Sequence, residues 1–486
     1  MLTRLKVSGF KNLVDVDVRF GAFTCIAGSN AVGKSNLFDA IHFLGHLSEK
    51  TFLEAALAIR SDEQDSDIRS IVQRIGDVYA ECMSFEAGML IPTQGEDELG
   101  QILEASATLV RYTVKLRYRT EWQLPLTSPF ELVEETLEAI GLENAAEFLK
   151  FPYDSDQWLP SVSRGGQAKS LISTKRNNRQ STIHVNTNEL TGERQRLDAS
   201  GLPRTVLSTH YTASNPTALI VRKEMSSWML LQFETSALRR PDRFATLATP
   251  GLLANGAHLP ATLYHLAHVD AFNGVSTEGL HESPIIYSQI AGRLSELING
   301  VQAIQIDRDE ARQLLTLHLM EKDRISYPAH SLSDGTLRFL ALSVIEMDPS
   351  VRGLICIEEP ETGIHPSRIP AMLRLLQDIA CDTTFPVDED NPLRQVIINT
   401  HSPFVVSQVP DDSLLVALPI ERIENGNRFQ GVRFEWLADT WRTATSSEIR
   451  PIARGKLLDY LTFKAEKDAD MTSRRVMDRD DLQFIF

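Results

Sequence analysis

The chain has 486 residues, with 49 Lys+Arg against 65 Asp+Glu and a formal net charge of −16. At roughly 100–200 residues per domain this length supports about two to four domains. The 42% hydrophobic and 23% charged fractions exclude a disordered chain, a collagen and a disulfide-dense secreted module. The acidic balance argues against nonspecific coating of nucleic acid but leaves room for a local basic groove.

No window approaches about 18 uninterrupted apolar residues, so no transmembrane helix is expected. The opening MLTRLKVSGFKNL lacks a signal-peptide apolar region. The four cysteines, Cys25, Cys82, Cys356 and Cys381, are far apart with no CxxC pair. Neither a zinc site nor a disulfide framework is indicated, and a reducing, cytoplasmic setting without membrane contact is expected.

In chain order, Val14, Val16, Val18 and Phe20 alternate with polar residues, as in a half-buried strand. A second strand, Phe23 to Ala27, runs into a glycine-bearing loop and then a helical stripe of Leu37, Ala40, Ile41 and Leu44. Residues 50–105 read as mixed helices and loops, and 107–120 as one or two strands. Helical patterning resumes near Pro129 through PFELVEETLEAIGL. A basic stretch over about 160–200 contains Arg164, Lys169, Lys175, Arg176, Arg179 and Arg194. Residues 205–300 look mostly helical, with breaks at Pro241, Pro250-Gly251 and Asn255-Gly256. From about 303 the α/β pattern returns. A helix is marked by Leu337, Leu340, Ala341, Val344 and Ile345, and buried parallel strands by Leu354 to Ile357 and Val396 to Ile398. A further helix is expected from Pro451 to about Lys467. Neither a sustained heptad array nor a fixed-period repeat is present.

Four motifs carry chemistry. Gly28-Ser29-Asn30-Ala31-Val32-Gly33-Lys34-Ser35 matches GxxxxGK[ST] between a strand and a helix, with Asn36 following in the helix. Such a loop turns backbone N–H groups inward on a polyphosphate; Lys34 would neutralise the β- and γ-phosphates and Ser35 would hold Mg²⁺. Glu358-Glu359-Pro360-Glu361 ends an apolar strand. Side chains alternate along a strand, so one of Glu358 and Glu359 can face Mg²⁺ while the other faces the γ-phosphate and orients an attacking water. Ser333-Asp334-Gly335 precedes a helix, where it serves either as an N-cap or as an anion site. His401, at the carboxyl end of the 396–398 strand, sits where parallel sheets place ligands.

The order of these motifs resembles the ABC/SMC-type ATPase superfamily, and within it the RecF-like and OLD-like ATPases of bacteria. Gly9-Phe10-Lys11-Asn12-Leu13 also looks like that group's opening. The resemblance implies an α/β ABC-type P-loop head with a mixed sheet, formed by 1–120 and 300–430. A mostly helical inserted lobe with a basic loop would occupy 121–299, and a helical segment at 431–486 would be available for partner docking. It implies that Gly28 to Ser35 are Walker A, Ser333 to Thr336 the signature motif, Glu358 the Walker B acid, Glu359 the catalytic glutamate, Glu361 to His365 the D-loop and His401 the switch histidine. Two heads would sandwich two ATP molecules, so at least a homodimer is implied. Two positions depart from the family pattern: Glu358 stands for the commoner aspartate, and Asp334 for the first signature glycine.

Asp468-Ala469-Asp470 and Asp478-Arg479-Asp480 spell DxD but follow no apolar strand. The chain is therefore not expected to cut nucleic acid itself. It resembles the ATPase subunits of Septu-type, PARIS-type and retron-associated anti-phage systems, which implies a sensor or scaffold for a separately encoded effector, a nuclease. Two alternatives remain open. One is a RecF-like repair ATPase that binds DNA through 164–194, Arg239, Arg240 and Arg243; the other is a scaffold with structural ATP.

Overall fold

The structure is a computed structural model and describes residues 1–59, 67–122, 128–165, 169–177, 180–189, 191–209, 212–272, 285–298, 300–424, 426–445 and 451–453. A six-stranded sheet lies at its centre. Its order is Met229–Leu231, Gly353–Glu358, Arg394–Thr400, Phe23–Ala27, Leu414–Glu424 and Asn427–Trp436. The first five strands are mutually parallel, and the last returns antiparallel as a hairpin. The apolar runs at 354–357 and 396–398 are continuous because both faces of this sheet are covered. Leu354, Cys356 and Ile397 face one core, while Ile355, Ile357, Val396 and Ile398 face the other.

The first core is closed by an antiparallel eight-stranded sheet and the Lys34–Leu47 helix, through Leu5, Val7, Phe85, Val114, Leu37 and Leu44. The second packs Ile290, Leu337, Leu340, Val344 and Leu373 beneath the parallel sheet. These side chains come from the helices Ile285–Leu297, Asp334–Met347 and Ile369–Ile379. The fold is α/β, with helices and a second sheet sandwiching the parallel one.

Four expectations are corrected. The segment read as helical after Pro129 is the Phe130–Ala139 strand. The register shifts between Leu132 and Glu134, so Leu132 and Val133 are both buried in succession, and this bulge imitates helical spacing. Within 121–299 the described longer helices, Pro216–Ser226, Leu259–Phe272 and Ile285–Leu297, all lie in the second half, whereas the first half is mostly strand with the short helices Ala145–Phe148 and Trp158–Val162. Lys169–Asn177, Gln180–Asn188 and Glu193–Asp198, expected as a basic loop, are antiparallel strands that extend the eight-stranded sheet. Within 50–105, Cys82–Leu90 is a nine-residue strand of the same sheet. Finally, residues 431–436 are strand rather than helix, whereas the helix expected beyond Pro451 and both DxD spellings lie outside the described residues. All four cysteines are free, and Cys25 and Cys356 are buried with thiols that burial pushes up. Among the described residues no helix is long and apolar enough to cross a membrane.

Candidate functional site

The strand order brings the chemistry together. Ala27, Thr400 and Glu358 end neighbouring parallel strands on one edge, in register as Thr400 with Ala27 and Glu358 with Asn399. Ligands bind beyond that edge in open α/β sheets. A cavity of about 670 Å³ opens there, lined among others by Asn30, Lys34, Ser35, Glu358, Glu359 and Asn399.

The phosphate loop is held from outside. Asn12 Nδ2 donates to Val32 O at 3.0 Å, and Asn36 Nδ2 donates to Asn12 Oδ1 at 2.8 Å. Lys11 Nζ pairs with buried Asp39 at 2.7 Å. Gly33 has φ 113°, and a Cβ there would come within 2.5 Å of Asn12, so only glycine fits. A Cβ on Gly28 would lie 2.8 Å from Ala417 O. Gly33 caps the Lys34–Leu47 helix without a side-chain bond, which leaves the helix's first N–H groups to a ligand. Ser29, Asn30 and Ala31 are exposed, whereas Val32 and Lys34 are buried. Lys34 Nζ donates to Gly28 O at 2.7 Å and Ser29 O at 2.8 Å, so the loop wraps its ammonium. Burial lowers the Lys34 pKa, and the charges of Glu359, Glu361 and Glu358 oppose that shift.

The two adjacent glutamates both line the cavity but take different partners. Glu358 Oε1 accepts from Asn399 Nδ2 at 3.2 Å and its Oε2 from Gln232 Nε2 at 2.9 Å. Glu359 leaves the strand at φ 44°, with its N–H donating to Asn399 O and Asn399 Oδ1, both at 3.1 Å. A positive φ at a non-glycine costs about 1–2 kcal/mol. It turns the half-exposed Glu359 Oε1 to His401 Nδ1 at 2.8 Å.

Ser333 and Asp334 lie apart from this cavity and are exposed, while Gly335 is buried. Ser333 Oγ caps the following helix by accepting from Thr336 N at 3.2 Å. Arg239 Nη2 fixes the loop through Leu332 O at 2.9 Å and Asp334 Oδ1 at 2.7 Å.

Three lining residues have no contiguous motif to mark them. Gln232 follows the short Met229–Leu231 strand and reaches Glu358 only because that strand pairs beside 353–358. Arg338 projects from the second turn of the 334–347 helix and donates to Phe233 O at 3.3 Å. Asn399 bridges both glutamates. Asn in an apolar strand end is the one signal available in sequence. Ser35, Glu358 and Gln232 supply oxygen donors suited to Mg²⁺. Among the described residues no group of three or more His, Cys, Asp or Glu forms a metal cage.

The family described as "AAA domain, putative AbiEii toxin, Type IV TA system" matches residues 23–407. The chain belongs to this AAA family. That span runs from the strand before the phosphate loop to just past His401, so it takes in the phosphate loop, the Ser333–Gly335 loop, Glu358, Glu359 and His401. Comparison with curated proteins found no match. Among solved structures, the chain is 12% identical to an Smc head bound to the C-winged helix domain of ScpA, with TM-score 0.46, over 90% of this chain and 98% of that one. An Smc head with an extended coiled coil bound to the C-terminal domain of ScpA, from Pyrococcus furiosus, is also 12% identical, with TM-score 0.40 over 90% and 96%. An SMC head domain from Thermotoga maritima is 11% identical, with TM-score 0.35 over 89% and 97%.

The basic residues outside the site divide into two groups. Arg164 is spent on Glu104 at 2.5 Å and Arg239 on Asp334. Lys175, Arg194 and Arg196 are exposed around His184, whose pKa is lowered by desolvation and by these three cations.

Proposed function

We propose that this AAA-family chain binds and hydrolyses ATP with Mg²⁺, as a homodimer whose two copies complete each other's pockets. The carrying observation is that Glu359, which lines the cavity with Lys34 and Ser35, meets His401 Nδ1 at 2.8 Å. The loop Gly28 to Asn36 suits the triphosphate: it joins a glycine-shaped cradle, an uncapped helix start and the Lys34 cation. Ser35, Glu358 and Gln232 would hold Mg²⁺, which supplies charge neutralisation between phosphates when bound. Glu359 accepts a proton from the attacking water, and His401 orients Glu359 and meets the γ-phosphate. Ser333, Asp334 and Gly335 lie outside their own chain's cavity, with two of the three exposed. That suits them to close the partner copy's pocket.

The toxin–antitoxin wording of the family description, with the resemblance to anti-phage ATPases, supports a narrower role. In that role the dimer is the cytoplasmic sensor and scaffold of a bacterial defence complex, and its nucleotide state controls a separately encoded nuclease effector. Glu359→Gln keeps the side-chain shape and removes the base. Expected are retained ATP, turnover reduced by ~100-fold or more, and a monomer-to-dimer shift on ATP addition in size-exclusion with light scattering. Unreduced turnover, or a monomer at saturating ATP, would refute the assignment. Co-expression with the adjacent gene product, read as co-purification and loss of phage protection in the Lys34→Ala strain, tests the defence role.

A further inference from the structure

The loop after Glu358 carries a carboxylate that the hydrolytic reading leaves unused. Glu361 is only partly exposed, and its Oε2 is buried with no hydrogen-bond partner among the described residues. Its Oε1 accepts from the hydroxyl of Thr400, which is fully buried. The same hydroxyl accepts from Ser402 N at 2.9 Å. His401 therefore stands between two residues tied to one oxygen. Glu359 is held to the same loop, with Thr362 N donating to Glu359 O and Ile364 N to Glu361 O, both at 3.0 Å. The two loops thus meet twice: at the tip through Glu359 and His401, and at the base through Glu361 and Thr400. The base is braced further, because a Cβ on Gly335 would lie 3.0 Å from Gly363 O, so loop and signature helix touch.

Magnitudes distinguish the two contacts. The tip pair is half-exposed at both members, and exposed ion pairs hold geometry weakly against side-chain entropy. A hydroxyl-to-carboxylate bond shielded from water is stronger and does not exchange with solvent. The base therefore sets the angle at which the tip can form.

We propose that Glu361 and Thr400 form a latch, in which Glu361 is a positioning residue that holds His401 against Glu359. This rests on the hydrolytic reading above.

Thr400→Val keeps the shape and deletes the hydroxyl, whereas Thr400→Ser keeps the hydroxyl. Thr400→Val and Glu361→Ala are each expected to lower kcat ~10–100-fold, as small misplacements of catalytic groups do, with nucleotide affinity within about twofold of wild type. Thr400→Ser is expected to rescue, and the double variant to be no slower than either single one. Amide exchange at Ser402 should speed up in Thr400→Val and Glu361→Ala. Wild-type kcat in either variant, Thr400→Ser failing like Thr400→Val, or unchanged Ser402 exchange would each overturn the latch. A wild type that turns over no ATP would refute the hydrolytic reading instead, while Ser402 exchange still decides whether the latch exists.

Discussion

Lys34 concentrates the argument at the residue scale. A buried ammonium is costly unless anions or carbonyls surround it, and here Gly28 O and Ser29 O do so at 2.7 and 2.8 Å. Ser29 is exposed, so water can reach the loop end that the ammonium leaves, and Lys34→Ala is expected to fold while losing the charge that a triphosphate needs. Hydrogen bonds to charged groups contribute about 1.5–3 kcal/mol each. The variant is therefore expected to bind ATP roughly 100-fold more weakly. Differential scanning fluorimetry checks this: ATP raises the wild-type Tm by mass action, and the Lys34→Ala Tm should not move at the same concentration. Glu359 shows the opposite economy. Its strained φ of 44° persists because Asn399 receives its N–H twice and holds Glu358 as well.

At the scale of elements, the Phe130–Ala139 strand contributes more than a layer of sheet. Its Glu135 is fully buried and accepts from Val206 N at 2.6 Å, Leu207 N at 2.9 Å and Tyr112 Oη at 3.0 Å. That turn is tied in its own right to the end of the phosphate-loop helix, since Thr205 Oγ1 donates to Leu47 O at 2.7 Å. Burial pushes the Glu135 carboxyl up from 4.5 to about 7, against the pull of its three donors. A raised carboxyl binds a proton in the folded state that the unfolded chain has released. Its contribution is therefore fully present below about pH 4.5 and is lost as pH rises through about 7. That amounts to about 3 kcal/mol. Glu135→Gln leaves one backbone N–H unmatched and should cost about 1–3 kcal/mol at pH 5, but its stability should fall less than the wild type's between pH 5 and 8. Urea melts across that range give the difference directly, and parallel curves would contradict the assignment.

At the scale of the whole molecule, the question is which surface a second copy meets. A composite site predicts complementation. Ser333→Arg blocks the exposed loop at about 1 kcal/mol of lost capping, and Lys34→Ala disables the phosphate loop, so each homodimer should be inactive. A mixed dimer pairs both lesions in one pocket and leaves the other intact. Mixing the two variants should restore up to about a quarter of wild-type turnover, from statistical pairing with half the sites intact. Continuous-assay ATPase measurement of the mixture checks this, and no recovery would place both motifs in one chain's pocket.

The parts of this protein that could be read without coordinates are those set by short-range sterics. Gly28 to Ser35 is one contiguous loop whose glycines are demanded by the local backbone, and Glu358, Glu359 and His401 each end an apolar run that is recognisable as a buried parallel strand. Ser333 reads as a cap from its own helix. The remainder depended on pairing between distant segments. Gln232 joins the site because a three-residue strand docks beside 353–358, and no local pattern announces that neighbour. The Phe130–Ala139 segment imitates a helix because a single bulge at Val133 places two successive side chains inward, and only its partner strand 109–118 reveals the register. Glu135 looks like surface charge in a string of acids, and Glu361 reads as the start of the D-loop with no sign of its partner Thr400. Burial, which decides their protonation and their partners, is a property of the assembled layers and has no counterpart in the linear order of residues.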